Sequence, residues 1–94
     1  MKSIIQKKYN ECYMCGGQQW LEEHHIFGGA NRNLSEKYGL KVKLCHYCHN
    51  EPPRGIHFNK TNMLILKKIG QSVFMEYYKK SKEEFIKLFG KSYI

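Results

Sequence analysis

Two Cys-x-x-Cys pairs, Cys12-Tyr-Met-Cys15 and Cys45-His-Tyr-Cys48, constrain this chain more than any other feature. At 94 residues it makes one small domain, whose apolar core alone is hard pressed to hold it folded. Zinc takes four thiolates in a tetrahedron, and each Cys-x-x-Cys turn offers two sulfurs from one knuckle. Gly16-Gly17 after the first pair permits the backbone bend that such a knuckle requires. The sequence therefore predicts one structural zinc on Cys12, Cys15, Cys45 and Cys48, stapling an undersized core.

Residues 16–44 separate the pairs, more than the roughly 15–20 of a compact ribbon. That gap suits a treble-clef-like arrangement, with a hairpin inserted between the knuckles. Two other uses of the cysteines are weaker. Redox chemistry calls for a thioredoxin-like strand–helix context, which neither pair has. Cys45-His-Tyr-Cys48-His49 also matches the haem attachment signature of c-type cytochromes. Covalent haem needs export, and it would leave Cys12 and Cys15 without a purpose.

Sixteen Lys and Arg against eight Asp and Glu give a net charge of +8. A chain this basic points to a polyanionic partner, DNA first, over an ordinary solvated surface. No stretch approaches the roughly 20 apolar residues of a membrane span, and the basic residues are too scattered for a membrane-surface role. The opening Met-Lys-Ser-Ile-Ile-Gln-Lys-Lys lacks the apolar run of a signal peptide. The expectation is a cytoplasmic protein whose thiols stay reduced and favour metal over disulfides.

Along the chain, residues 1–11 read as a tail or short lead-in strand. Residues 19–27 read as a strand running into His24-His25, followed by a turn-rich loop, Gly28-Gly-Ala-Asn-Arg-Asn33. Residues 34–39 hold a helical turn stopped by Gly39, and Leu40-Lys-Val-Lys-Leu44 alternates like a half-buried strand. Two prolines and a glycine exclude regular structure over 50–55. A helix is expected from an N-cap at Thr61, with Leu66, Ile69, Val73, Phe74 and Tyr77 as its apolar face. Ser81-Lys-Glu-Glu84 has the form of a capping box, and Gly90 would end the last helix. Phe74, Tyr77, Tyr78, Phe85 and Phe89 read as core. The whole is a small α+β domain over 1–94, with the metal motifs in 12–60 and a helical part in 61–90.

Five histidines remain to be explained. Successive side chains alternate along an extended strand, so one of His24 and His25 can bind a metal while the other faces a substrate. His49 and His57, from the far side of the second knuckle, could close on the same metal. Three neutral imidazoles suit zinc, nickel or manganese more naturally than magnesium. A fourth histidine then stays free as a general base. His46, inside the knuckle, reads as a packing or surface residue.

Glu23-His24-His25-Ile26, a glycine-rich loop and Leu44-Cys45-x-x-Cys48-His49 together resemble the HNH, or ββα-metal, endonuclease motif framed by a zinc-binding double knuckle. With Gly55-Ile56-His57 added, the pattern is similar to small HNH nucleases of phages and prophages, including a recombination-enhancement nuclease that depends on a recombinase for targeting. The resemblance covers residues 12–60. It implies His24 as the first metal ligand, His25 as the general base and His49 as the final histidine of the motif and a ligand. His57 matches the extra helix histidine of colicin-type nucleases. The motif's middle asparagine falls on Leu40, so Asn31 or Asn33, or less directly Asn50, would have to supply its hydrogen bond.

The resemblance implies hydrolysis of DNA phosphodiesters with a catalytic zinc, manganese, nickel or magnesium ion, leaving 5′ phosphate and 3′ hydroxyl ends. It also implies action in a bacterial host, with room for a recombination or packaging partner. Arg32, Lys41, Lys43, Arg54 and Lys60 are the candidate phosphate contacts. The alternative is a non-catalytic zinc-knuckle module that binds nucleic acid, which gives His24-His25 no role. A treble-clef protein-interaction adaptor explains the cysteines alone.

Overall fold

Leu21–His25 and Lys41–Cys45 pair as antiparallel strands β1 and β2 in the computed structural model, which describes residues 1–94. Leu21 lies opposite Cys45 and His25 opposite Lys41, so the strand end that carries the histidines is remote from the cysteine end. Alternation in β2 sends Val42 and Leu44 into the core, where neither has any exposed surface. The strand expected over residues 19–27 is shortened to Leu21–His25, and at its start Trp20 takes a left-handed backbone angle that an extended chain cannot contain.

A 3-10 turn, Gly29–Asn31, leads into helix α1, Arg32–Tyr38, which starts two residues earlier than the sequence predicts. Gly39 closes it at φ 73°, a left-handed angle that glycine adopts without strain. Fully buried Ser35 fastens α1 to the chain leaving β1: its hydroxyl donates to the Phe27 carbonyl at 2.8 Å and accepts from the Phe27 amide at 3.0 Å. Residues 1–11 form no strand. They are tied down by single bonds, such as the Ile4 amide to the Gly39 carbonyl and the Lys43 amide to the Gln6 side chain.

Helix α2, His46–Asn50, follows β2 directly, and a 3-10 turn, Ile56–Phe58, carries His57. Helix α3 spans Lys60–Tyr77. Its cap is Asn59, whose side chain accepts from the Asn62 amide at 2.9 Å, in place of the expected Thr61. The buried face of α3 is Leu66, Gly70, Gln71 and Phe74. It is rotated from the expected stripe: Ile69 and Val73 fall on its rim and Tyr77 is 57% exposed. Gly70 is the cause, because a Cβ there would lie 2.8 Å from the Ile26 side chain and 3.2 Å from the Phe27 ring. Helix α4, Lys82–Phe89, has the full Ser81–Glu84 capping box and ends at Gly90. Phe27, Phe74 and Phe85 are completely buried, each contributing about 1.5–3 kcal/mol by leaving water. No helix is long and apolar enough to cross a membrane.

Candidate metal centres

The sulfurs of Cys12, Cys15, Cys45 and Cys48 all lie within 4.8 Å of one another, Cys15 and Cys45 at 3.7 Å. Two local structures deliver them. The turn after Cys12 folds back through the Gly16 amide to the Cys12 carbonyl at 2.8 Å, and α2 starts at the second pair. All but Cys15 are buried. Burial raises the Cys12 thiol, but amides from Cys45, Cys15 and Met14 outweigh it and bring the pKa down to about 7. Burial and the neighbouring sulfurs push Cys48 the other way, well up. Four thiols so crowded resist joint ionisation unless a cation neutralises them, and the set could hold a structural metal ion.

At the other end of the sheet, His24, His49 and His57 bring one ring nitrogen each within 4.8 Å of the others. His24 comes from β1, His49 from α2 and His57 from the 3-10 turn, so His57 joins the group without lying on a helix. His57 Nε2 is 3.0 Å from His49 Nε2. His24 is 6% exposed, and its Nε2 is the one buried side-chain polar atom with no hydrogen-bond partner. Such an orphan costs about 1–3 kcal/mol unless something satisfies it. Burial, with repulsion from His49 and His57, drives the His24 pKa down to about 3, and burial lowers His57 too. His24 and His57 are thereby biased to the neutral form, and three imidazoles converging on one point make a donor set that fits a divalent transition ion.

His25 points to the other side of β1, as strand alternation requires, yet the strand end also borders the histidine cleft. Its Nε2 lies 2.9 Å from Glu36 Oε1 and 3.9 Å from Glu23. Glu36 Oε2 in turn accepts from Lys41 at 2.8 Å. Hydrogen bonds from Lys41 first and His25 second hold the Glu36 carboxyl down to about 2. An ionised Glu36 fixes the Nε2–H tautomer of His25 and leaves Nδ1 as its lone pair. Glu23, His25 and Glu36 lie close enough to hold an ion, but the Lys41 ammonium already engages both carboxylates.

Lys41, one of the expected phosphate contacts, is 8% exposed and paired with two carboxylates. Lys43 lies over the Tyr9 ring, 5.2 Å from its centroid. Arg32 borders the histidine cleft, whereas Arg54 borders a groove beside Cys15 and Cys45. Lys60 is exposed at the start of α3. The structure adds Lys67, which lines the histidine cleft from α3. Of the three asparagines, Asn31 donates to the Phe89 carbonyl and Asn50 to Glu22, both at 2.9 Å, and exposed Asn33 makes no side-chain bond. Ser35 is what pins the chain after the histidines.

Glu22 is the residue that motif reading missed. Its carboxylate accepts from His49 Nδ1 at 2.7 Å, His46 Nδ1 at 3.2 Å and Asn50 at 2.9 Å. The bond from His49, then that from His46, holds it below the usual carboxylate range. Period-two alternation was the available signal, since it sets Glu22 on the same face as His24. His46 itself bridges Glu22 and Glu51 and takes no part in the imidazole cluster.

No protein-family model, characterised protein or solved structure matches this chain.

Proposed function

We propose that this chain is a metal-dependent DNA endonuclease of the HNH, or ββα-metal, kind, built on a treble-clef-like core that a zinc ion on Cys12, Cys15, Cys45 and Cys48 holds together. The observation that carries the reading is that buried His24 leaves Nε2 unpartnered while its ring clusters with those of His49 and His57, with His25 next to it at the end of β1. The order β1, β2, α2, with His24 and His25 on the first strand and His49 on the helix, supports it. When bound, a divalent ion on His24, His49 and His57 supplies Lewis-acid stabilisation of charge on the scissile phosphate and the departing 3′ oxygen.

The chain's own residues do the rest. His25 accepts the proton of an attacking water at Nδ1 while Nε2–H stays bonded to Glu36. The new bond joins the water oxygen to phosphorus in line as the bond from phosphorus to the 3′ oxygen breaks. Arg32 and Lys67 flank the cleft and offset phosphate charge there. A mere nucleic-acid-binding module accounts for the cysteines and the charge of +8 but leaves the second cluster without a use.

The test is nicking of supercoiled plasmid by the zinc-loaded protein with added manganese, nickel, zinc or magnesium, wild type beside His25→Ala. Cleavage by wild type alone, with two metal ions per chain, supports the proposal. Absence of cleavage with every metal and DNA form returns the protein to the binding-module class.

A further inference from the structure

The chain's one tryptophan lies outside both metal centres. Trp20 is 67% exposed and held at φ 52°, an angle that bulky residues rarely adopt. Its carbonyl accepts from the His46 amide at 3.0 Å and β1 starts at the next residue, so its backbone is fixed on the strand side. Strain of this kind persists only where the surroundings over-determine it, and it clusters at functional sites. The ring is thrown clear of the core and lies against Tyr47, which is 52% exposed. The centroids are 6.2 Å apart and the planes inclined by 56°, leaving both rings open to a further flat partner.

The surroundings say what that partner is. Arg54, with Gln18 and Gln19, borders the groove on the knuckle side. Glu22 and Glu51 lie on the other side, and His46 engages both, at 3.2 and 2.9 Å. An aromatic pair beside an arginine, on a chain of net charge +8, suits a ligand with apolar flat faces strung on an anionic backbone. Continuity with the cleft adds to this: Glu22 lines the aromatic groove and also holds His49. Trp20 directly precedes β1, along which Leu21 and His24 are three residues apart, about 10 Å at roughly 3.3 Å per residue.

We propose that Trp20 and Tyr47 form a stacking platform for an unpaired base, with Arg54 on the adjoining phosphate, which makes the preferred substrate a DNA strand that is unpaired a few nucleotides from the cleavage point. The proposal deepens the nuclease reading and rests on it for the position of the cleaved bond. Paired bases hide their faces within the duplex, so such a platform discriminates single-stranded, frayed or branched DNA from intact duplex.

Binding can be tested without cleavage. Because Trp20 is the sole tryptophan, its fluorescence reports the platform alone. The full chain, with metal on its cysteines and none added for the histidines, is titrated with oligothymidylate and with a blunt duplex of equal length. Saturable quenching by oligothymidylate, absent with duplex, is expected. Affinities of Tyr47→Ala and Trp20→Gly are then read by anisotropy of dye-labelled oligothymidylate and should fall about tenfold or more. Glycine tolerates the left-handed angle at position 20, so that variant should keep its fold and cysteine-bound metal, checked by circular dichroism and metal analysis. Oligothymidylate that fails to bind, or binds without changing Trp20 emission, overturns the platform; so does unchanged affinity in both variants. Plasmid cleavage by a protein whose Trp20 stays silent removes the platform and spares the nuclease. A Trp20 response in a protein that cuts nothing does the reverse.

Discussion

Nδ1 of His49 lies 2.7 Å from Oε1 of Glu22, and the carboxylate decides which nitrogen of that ring is free. An ionised Glu22 can only accept, so His49 donates from Nδ1 and turns a lone pair at Nε2 toward His57 and His24. Carboxylate partners of this kind orient ligand imidazoles and raise their basicity. Glu22 also holds His46 and Asn50, so one side chain ties three residues of α2 to β1.

Glu22→Gln should therefore weaken divalent metal at the histidine site by about 10- to 100-fold while leaving the cysteine-bound metal in place. Calorimetric titration of cobalt or manganese into protein already loaded at the cysteines reads the difference. An affinity equal to wild type would show that Glu22 does not orient His49.

Cys12→Ser and Cys48→Ser should fail to fold or should precipitate. A structural zinc site supplies on the order of 10 kcal/mol, comparable to the entire stability of a small domain. Circular dichroism and zinc analysis of the purified variants give the answer. Folded variants with stoichiometric zinc would sink the four-cysteine assignment.

Acid should destabilise the protein through His24. Its pKa is about 3 in the fold and about 6.5 unfolded. The unfolded chain thus binds a proton that the folded one refuses, so stability is complete above about pH 6.5 and erodes as pH falls toward 3. Between pH 7 and pH 5 the loss from this residue approaches about 2 kcal/mol. His24→Leu lacks the term, and because the cysteine site titrates alike in both proteins, the difference isolates it. Denaturant melts of the two proteins at pH 7 and pH 5 should diverge by that amount; parallel profiles would show that His24 is not held neutral by burial.

Much of the sheet and the grouping of both candidate metal clusters were legible in the sequence, because Cys-x-x-Cys spacing and strand alternation act over a few residues. The Ser81–Glu84 box was legible for the same reason. What escaped depends on how distant segments approach. The α3 face turns on Gly70, whose missing side chain lets the helix close on Ile26 and Phe27, and helical periodicity carries no record of that contact. The same rotation brings Lys67 to the cleft. Lys41 looks like a free cation until α1 places Glu36 against it. His57 could be joined to His24 and His49 only by suspicion, since two prolines and a glycine intervene and no periodicity crosses them.

His25→Ala should keep both metals and its affinity for DNA yet lose about 10²- to 10⁴-fold in cleavage rate, the usual cost of removing a general base. The His25 ring lies on the opposite side of β1 from the cluster of His24, His49 and His57, so truncation removes no member of that cluster. Glu36→Gln tests the same assignment from one residue further out. An amide in place of the carboxylate can donate to Nε2 as well as accept from it, so the tautomer that frees Nδ1 is no longer imposed. Cleavage should fall between wild type and His25→Ala, with metal affinity unchanged. Plasmid nicking at saturating metal measures all three proteins. Undiminished cleavage by His25→Ala would reject the base assignment, and a Glu36→Gln rate equal to wild type would show that the carboxylate does not set the tautomer.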